Sequence, residues 1–230
     1  MKKIATLLIF TLFTFSSFAA TWYYKSGDAA LVVNWDSQAD GLGGSSPANF
    51  TTTTDVFDLN GKAVTVTSAW TLSGTLTASS NSTITSSHKI TLLGQVTNAG
   101  SITNTSPNIY EIEYGYQGAT EIIAGAYTFG IVLKNGVIGT AVGDVDTDNL
   151  VTLGTAIIDM GTHLLQCATT NISGSGAPGD GTIKTQNTSA APIIISGGIV
   201  CEPKVVYNAT GAQSVLAFDY QGGLSIEGGG

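Results

Sequence analysis

The sequence predicts an all-β protein, a right-handed parallel β-solenoid with an aromatic-rich N-terminal cap, and three observations carry that reading. Beyond residue 20, no run places apolar residues at i, i+3, i+4 and i+7 between helix caps. Instead, short β-branched segments alternate or run apolar for four to seven residues between Gly, Asn, Ser and Asp. The third observation is an internal repeat. Tyr114–Gly136 lies over Tyr207–Gly229 without a gap, with 7 of 23 positions identical, among them Tyr114/Tyr207, Gly118/Gly211, Ala119/Ala212, Ala124/Ala217 and Tyr127/Tyr220. Repeats of this kind mark stacked copies of one supersecondary unit. Solenoid coils take roughly 20 residues at the short end of their range, so the 93-residue offset (207 minus 114) spans four or five coils.

Met1 to Ala20 reads as a secretory signal peptide. Lys2 and Lys3 precede the apolar run Ile4 to Phe15, and Ser17 and Ala19 take the small-residue positions before a cleavage after Ala19. The run is shorter than the ~20 residues that span a bilayer, so no membrane span is expected after cleavage. Residues 21–60 are expected to form the cap. Trp22, Tyr23, Tyr24, Trp35, Phe50 and Phe57 gather there around a Gly- and Ser-rich loop, and a solenoid needs an end that hides the core and sheet edge of its first coil. The alternative for these rings is a sugar-binding platform.

Residues 61–230 are expected to be solenoid. Strand candidates follow in short steps: Ala63–Thr67, Trp70–Ser73, Gly74–Thr77, Ser82–Thr85, Lys89–Leu93, Gln95–Thr97, Ser101–Thr103, then Ile109–Tyr114, Thr120–Ile123, Ile131–Leu133, Leu150–Leu153, Ala156–Ile158, Pro192–Ile195 and Lys204–Tyr207. Leu72, Leu76, Ile84, Ile90, Leu92, Val96 and Ile102 are the expected inward ladder. The competing architecture, an antiparallel sandwich, calls for clearer hairpin turns than these. Nothing resembling the Val137–Pro203 continuation follows the second repeat copy, so the sequence is read as truncated at its C-terminus.

Charge excludes one class of partner. After cleavage six Lys and sixteen acids remain, a formal charge of −10, and the chain has no Arg. Without bidentate guanidinium contacts and with this acidity, nucleic-acid binding is not expected. Cys167 and Cys201 either form a disulfide in an oxidising compartment or fill core positions as small hydrophobes. His88 and His163 stand apart from other ligand types, which argues against structural zinc.

Two segments carry a family resemblance. The first comprises Thr21-Trp-Tyr-Tyr-Lys-Ser-Gly27, Asn34-Trp35, Asp40-Gly41, Pro47-Ala-Asn-Phe-Thr51 and Trp70-Thr-Leu-Ser-Gly-Thr-Leu76; the second is Val206–Ala217 with Tyr220 and Leu224–Ile226. They resemble modules of the large secreted, adhesin-like surface proteins of Bacteroidetes-type bacteria, which carry tandem β-solenoids. The resemblance implies export and surface display, and it supplies no catalytic residues.

Chemical motifs are few. Asp144, Asp146 and Asp148 alternate as in the first half of a calcium loop, but Asn149 stands where that loop needs Gly and Thr155 where it needs Glu, which favours a solvated turn and no cofactor. Glu111 and Glu113 alternate on one strand and point the same way, a spacing an inverting glycosidase could use. An outward polar face is the plainer reading. Thr-x-Thr pairs (Thr65/Thr67, Thr75/Thr77, Thr83/Thr85, Thr103/Thr105) form hydroxyl arrays of the sort that can order water on ice. The expected function is therefore non-catalytic: a secreted, adhesin-like solenoid displaying strands and loops to glycans or other cell-surface components. A carbohydrate-active β-helix enzyme stands second and an ice-binding protein third.

Overall fold

The computed structural model describes residues 19–103, 109–168, 171–173, 180–195 and 200–228; the expected signal peptide, up to residue 18, and Thr105 lie outside them. Strand pairing decides between solenoid and sandwich. Trp35–Asp36 runs antiparallel to Thr21–Tyr24, and every other strand pair among the described residues is parallel. Val64 pairs with Ile84, Trp70 with Ile90 and Ile138 with Ile157, each with the residue one short coil further along the chain. Parallel partners spaced in this way make a β-solenoid, here of about eight turns.

Each turn contributes to three faces. The first face begins at Thr21–Tyr24 and climbs through Val56–Asp58, Thr75–Thr77, Val96, Gly118–Ile122, Val137–Ala141, Ile157–Asp159, Thr182–Thr185 and Lys204–Tyr207 to Leu224–Ile226. At Val96 the pairing passes partly through side chains: its amide donates to the Thr120 hydroxyl at 2.8 Å, and Glu121 N–H donates to its carbonyl. The second face carries Ala63–Val66, Ser82–Ser86 and Ile102–Thr103, then Gly125–Tyr127, Val145–Thr147, Leu165–Cys167 and Ile193–Ile195. The third carries Trp70–Leu72, Lys89–Leu92, Ile109–Tyr114, Ile131–Leu133, Leu150–Thr152, Asn171–Ser173, Val200–Cys201 and Asp219–Tyr220.

The core is the column inside these faces. All seven expected ladder residues are buried, with Ile84 over Val64, Ile90 over Trp70 and Leu92 over Leu72. Each such aliphatic side chain contributes about 1.5–3 kcal/mol on burial. Threonines at the alternate positions, such as Thr65 and Thr71, face outward.

Aromatic rings close the N-terminal end, as a cap rather than a platform. Trp35 is fully buried, with ring centroids of Tyr24, Phe57 and Trp70 at 5.5, 5.3 and 5.8 Å, and Phe50 packs on the cluster. The Trp35 indole N–H donates to the Ala29 carbonyl at 2.9 Å, whereas the buried Trp70 indole has no acceptor. Carboxylates tie this end to the first coils. Asp55 accepts from the Trp22 indole and the Ala20 amide. Asp28 accepts from the hydroxyls of Thr67 and Ser68 and from the amides of Ala30 and Thr67.

Strand Gly125–Leu133 turns a corner without breaking. Its first three residues pair with Val145–Thr147 on the second face and its last three with Leu150–Thr152 on the third. Gly130 makes the bend, at φ +147°, and a Cβ there would stand 2.6 Å from the Asn149 carbonyl oxygen. The repeat keeps this glycine as Gly223, also at positive φ.

The two repeat copies do not occupy equivalent faces. Tyr114 ends a third-face strand and Tyr207 a first-face strand, so the copies are offset by four turns and one face. They nevertheless build the same lock. Tyr127 donates its hydroxyl to the Ile123 carbonyl and Tyr220 to the equivalent Leu216 carbonyl, while Tyr207 and Tyr220 hydroxyls meet at 3.0 Å. Complete burial pushes the Tyr114 hydroxyl up to about 12 and that of Tyr127 well above its ordinary value.

Two substitutions test this account by urea denaturation. Trp35→Phe, which strands the Ala29 carbonyl, should cost about 1–3 kcal/mol more than Trp70→Phe, which removes a donor that has no acceptor. Gly130→Ala should cost at least about 1–3 kcal/mol, through backbone strain together with the clash of its Cβ with the Asn149 carbonyl, whereas Gly100→Ala, with open space around it, should stay within about 0.5 kcal/mol.

Candidate contact surface

Three successive rungs of the third face bring together the largest set of ionic contacts among the described residues. Lys89 stands beside Glu111 in register, and Glu113 lies two residues further along the same strand. Because Ile112 between them points into the core, both glutamates face outward, as their alternation implies. The Lys89 Nζ lies 3.0 Å from Glu111 and 2.7 Å from Glu113, and Lys134, just past the next rung, reaches Glu113 at 3.2 Å. Burial works to raise the Glu113 carboxyl, yet the hydrogen bonds and charges of Lys89 and Lys134 hold it below its ordinary value. Burial likewise opposes the charge on Lys89, and the two glutamates outweigh it, so its ammonium is held above the usual lysine value.

At the corner beside this network two rings stack. Tyr110 and Phe129 lie with centroids 4.3 Å apart and planes tilted by 31°, and Phe129 is 49% exposed. The Phe129 carbonyl accepts from the Asn149 side-chain amide at 2.9 Å, which fixes the corner from the rung above. An exposed ring face next to fixed charged donors and acceptors suits a ligand that has both an apolar face and hydroxyls.

The remaining expected positions are dispersed. Asp144 is exposed and accepts from the Leu164 amide at 2.8 Å, with the His163 ring 3.9 Å away. Asp146 points outward from Val145–Thr147, and Asp148 follows that strand, half-buried. No three His, Cys, Asp or Glu side chains among the described residues form a group able to hold a metal ion. The disulfide considered for Cys167 and Cys201 is not formed, and both remain buried thiols. They sit on different faces, Cys167 donating to the Asp148 carbonyl and Cys201 to that of Pro203. Burial pushes the Cys201 thiol up to about 12, aided by Cys167 and Glu202. Some threonine hydroxyls turn back into the fold: Thr85 donates to the Val64 carbonyl and Thr103 to that of Ser82.

In comparison with known proteins, no family model matches this chain, and neither a curated protein nor a solved structure matches it.

Sequence reasoning singled out Glu111 and Glu113 but not Lys89, Lys134, Tyr110 or Phe129. A search at the coil length would have found the ring pair, whose members stand one turn apart on neighbouring strands, and would have placed Lys89 opposite Glu111.

The network's contribution to stability has a defined pH window. The depressed Glu113 value means a contribution fully present above its ordinary 4.5 and lost as pH falls through the folded value. The raised Lys89 value means one fully present below 10.5 and lost as pH rises through the folded value. Lys89→Met should therefore cost about 1 kcal/mol at pH 7 in urea titrations. The gap from wild type should close at about pH 2, where carboxylates are protonated.

Proposed function

We propose that the chain is a non-catalytic, secreted or cell-surface, adhesin-like β-solenoid module that displays its outer face to glycans. The observation carrying this reading is the pairing of the exposed Tyr110–Phe129 stack with a neutralised Glu111–Glu113–Lys89–Lys134 network on one outer face. Sugar rings offer an apolar face to an aromatic side chain and hydroxyls to neighbouring charges. A single contact of this size binds weakly, and display of several modules on one surface multiplies it.

The same network weighs against hydrolysis. A glycosidase acid must keep its proton near neutral pH, which requires a raised carboxyl. Two lysines hold Glu113 in the opposite direction. Export is supported by the signal-like Lys2 to Ala20 segment and by the resemblance to secreted surface proteins. No helix among the described residues is long and apolar enough to cross a membrane.

The purified protein should bind a subset of polysaccharides on a glycan panel without cleaving them, with or without calcium. Phe129→Ala should weaken that binding at least about tenfold while leaving thermal stability unchanged. Turnover of any panel polysaccharide that is abolished by Glu113→Gln would overturn the non-catalytic reading.

A further inference from the structure

One corner of the rod, between the second and third faces, carries ring and amide side chains on four successive rungs. Tyr110 and Phe129 stack at its centre. The register that sets Lys89 beside Glu111, continued by one residue, sets His88 beside Tyr110 on the rung below. On the rung above, the Asn149 side-chain amide holds the Phe129 carbonyl at 2.9 Å. His88 and Asn149 are exposed and Tyr110 is half-buried, so the four side chains form one outward strip along the rod axis. Neighbouring strands lie about 4.8 Å apart, so the strip runs for about 14 Å, longer than a single sugar ring.

Charge around the strip is one-sided. The two ammonium groups on these rungs are already paired, Lys89 with Glu111 and Glu113 and Lys134 with Glu113. Further carboxylates stand at both ends. Asp146, pointing outward, and Asp148, half-buried, precede Asn149 at the upper end. At the lower end Asp28 accepts from the Ser68 hydroxyl. The Trp70–Ile90 register, continued by two residues, places Ser68 one rung beneath His88. Asp28, Asp146 and Asp148 form no ion pair with a lysine among the described residues, and the chain as a whole carries a charge of −8. An acidic group on a ligand would lie against these carboxylates and against ammonium groups already engaged, and like charge of this kind rejects a partner. Hydroxyl groups fit instead, because they donate to carboxylates and accept from ammonium and amide nitrogens.

We propose that this corner binds a neutral oligosaccharide lying along the rod axis from His88 to Asn149, and that the surrounding carboxylates exclude acidic glycans. The inference rests on the glycan-display reading and names the class of glycan and its direction on the face.

The test compares each neutral polysaccharide that binds on the panel with its carboxymethylated derivative, using the whole protein. Wild type should prefer the neutral form at least about tenfold at low salt, and the preference should shrink at about 0.5 M salt, where surface charges are screened. The double variant Glu111→Gln/Glu113→Gln, which unpairs Lys89 and Lys134, should lose most of it. His88→Ala and Asn149→Ala should each weaken binding of longer fragments about threefold or more while disaccharide fragments bind as before. Both positions are exposed, so these two variants should melt like wild type. Phe129-dependent binding that is as strong for the carboxymethyl form, or a preference unmoved by salt, overturns this inference and leaves the display reading standing. Binding of long fragments that ignores both His88 and Asn149 overturns it equally. Binding that does not depend on Phe129, or no binding to any neutral polysaccharide, overturns both.

Discussion

Each inward side chain of this molecule stands on the side chain one turn below it, about 4.8 Å away. That vertical alignment dictates what the chain can contain. A ladder position accepts an aliphatic or aromatic group on every turn, because an unpaired polar atom would be sealed between its neighbours. Val64 under Ile84 and Leu72 under Leu92 satisfy the condition in the early turns. Thr147 and Thr152 are buried and bonded, to the Asn149 and Asp180 carbonyls, and the Trp70 indole N–H is an exception. The outer surface is free of the constraint, which is why threonine and serine accumulate there.

The ladder was therefore the legible part. Alternation alone identified Leu72, Leu76, Ile84, Ile90, Leu92, Val96 and Ile102, and all seven are inside. The aromatic end was legible for a similar reason, since rings crowded into one segment must bury each other. The coil length was less so. It is short and even through the early turns, where Val64 meets Ile84 and Trp70 meets Ile90. It then lengthens between Ile158 and Ile183, and again between Ile172 and Cys201. The strands stay in register across these longer turns, so a fixed period blurs. The contact surface was half legible. Parity along one strand put Glu111 and Glu113 on the same side, but the partners that decide their chemistry come from other turns, where only the coil length says which residue lies alongside.

The offset of the repeat explains why its sequence signal is patchy. Four turns and one face bring a strand–corner–strand unit back to a new side of the tube, so the unit is defined by its corner rather than by its face. The positions preserved include those the corner needs: a tyrosine pair that secures a backbone carbonyl, and a glycine at positive φ, Gly130 within a bent strand in one copy and Gly223 between two strands in the other.

The joint at Val96 bears on how such a rod answers a pull. Backbone hydrogen bonds between rungs lie along the long axis, so tension applied end to end loads the turns in series and parts them at the weakest one. At Val96 a threonine hydroxyl replaces a backbone carbonyl as acceptor on the first face, and a groove lined by Ile102, Thr103 and Gly125 separates neighbouring rungs on the second. On the third face Ile109–Tyr114 still pairs with Gly125–Leu133 across that level. Stretched end to end, the molecule is held at this level chiefly by its third face, through that pairing and the Glu113–Lys134 ion pair.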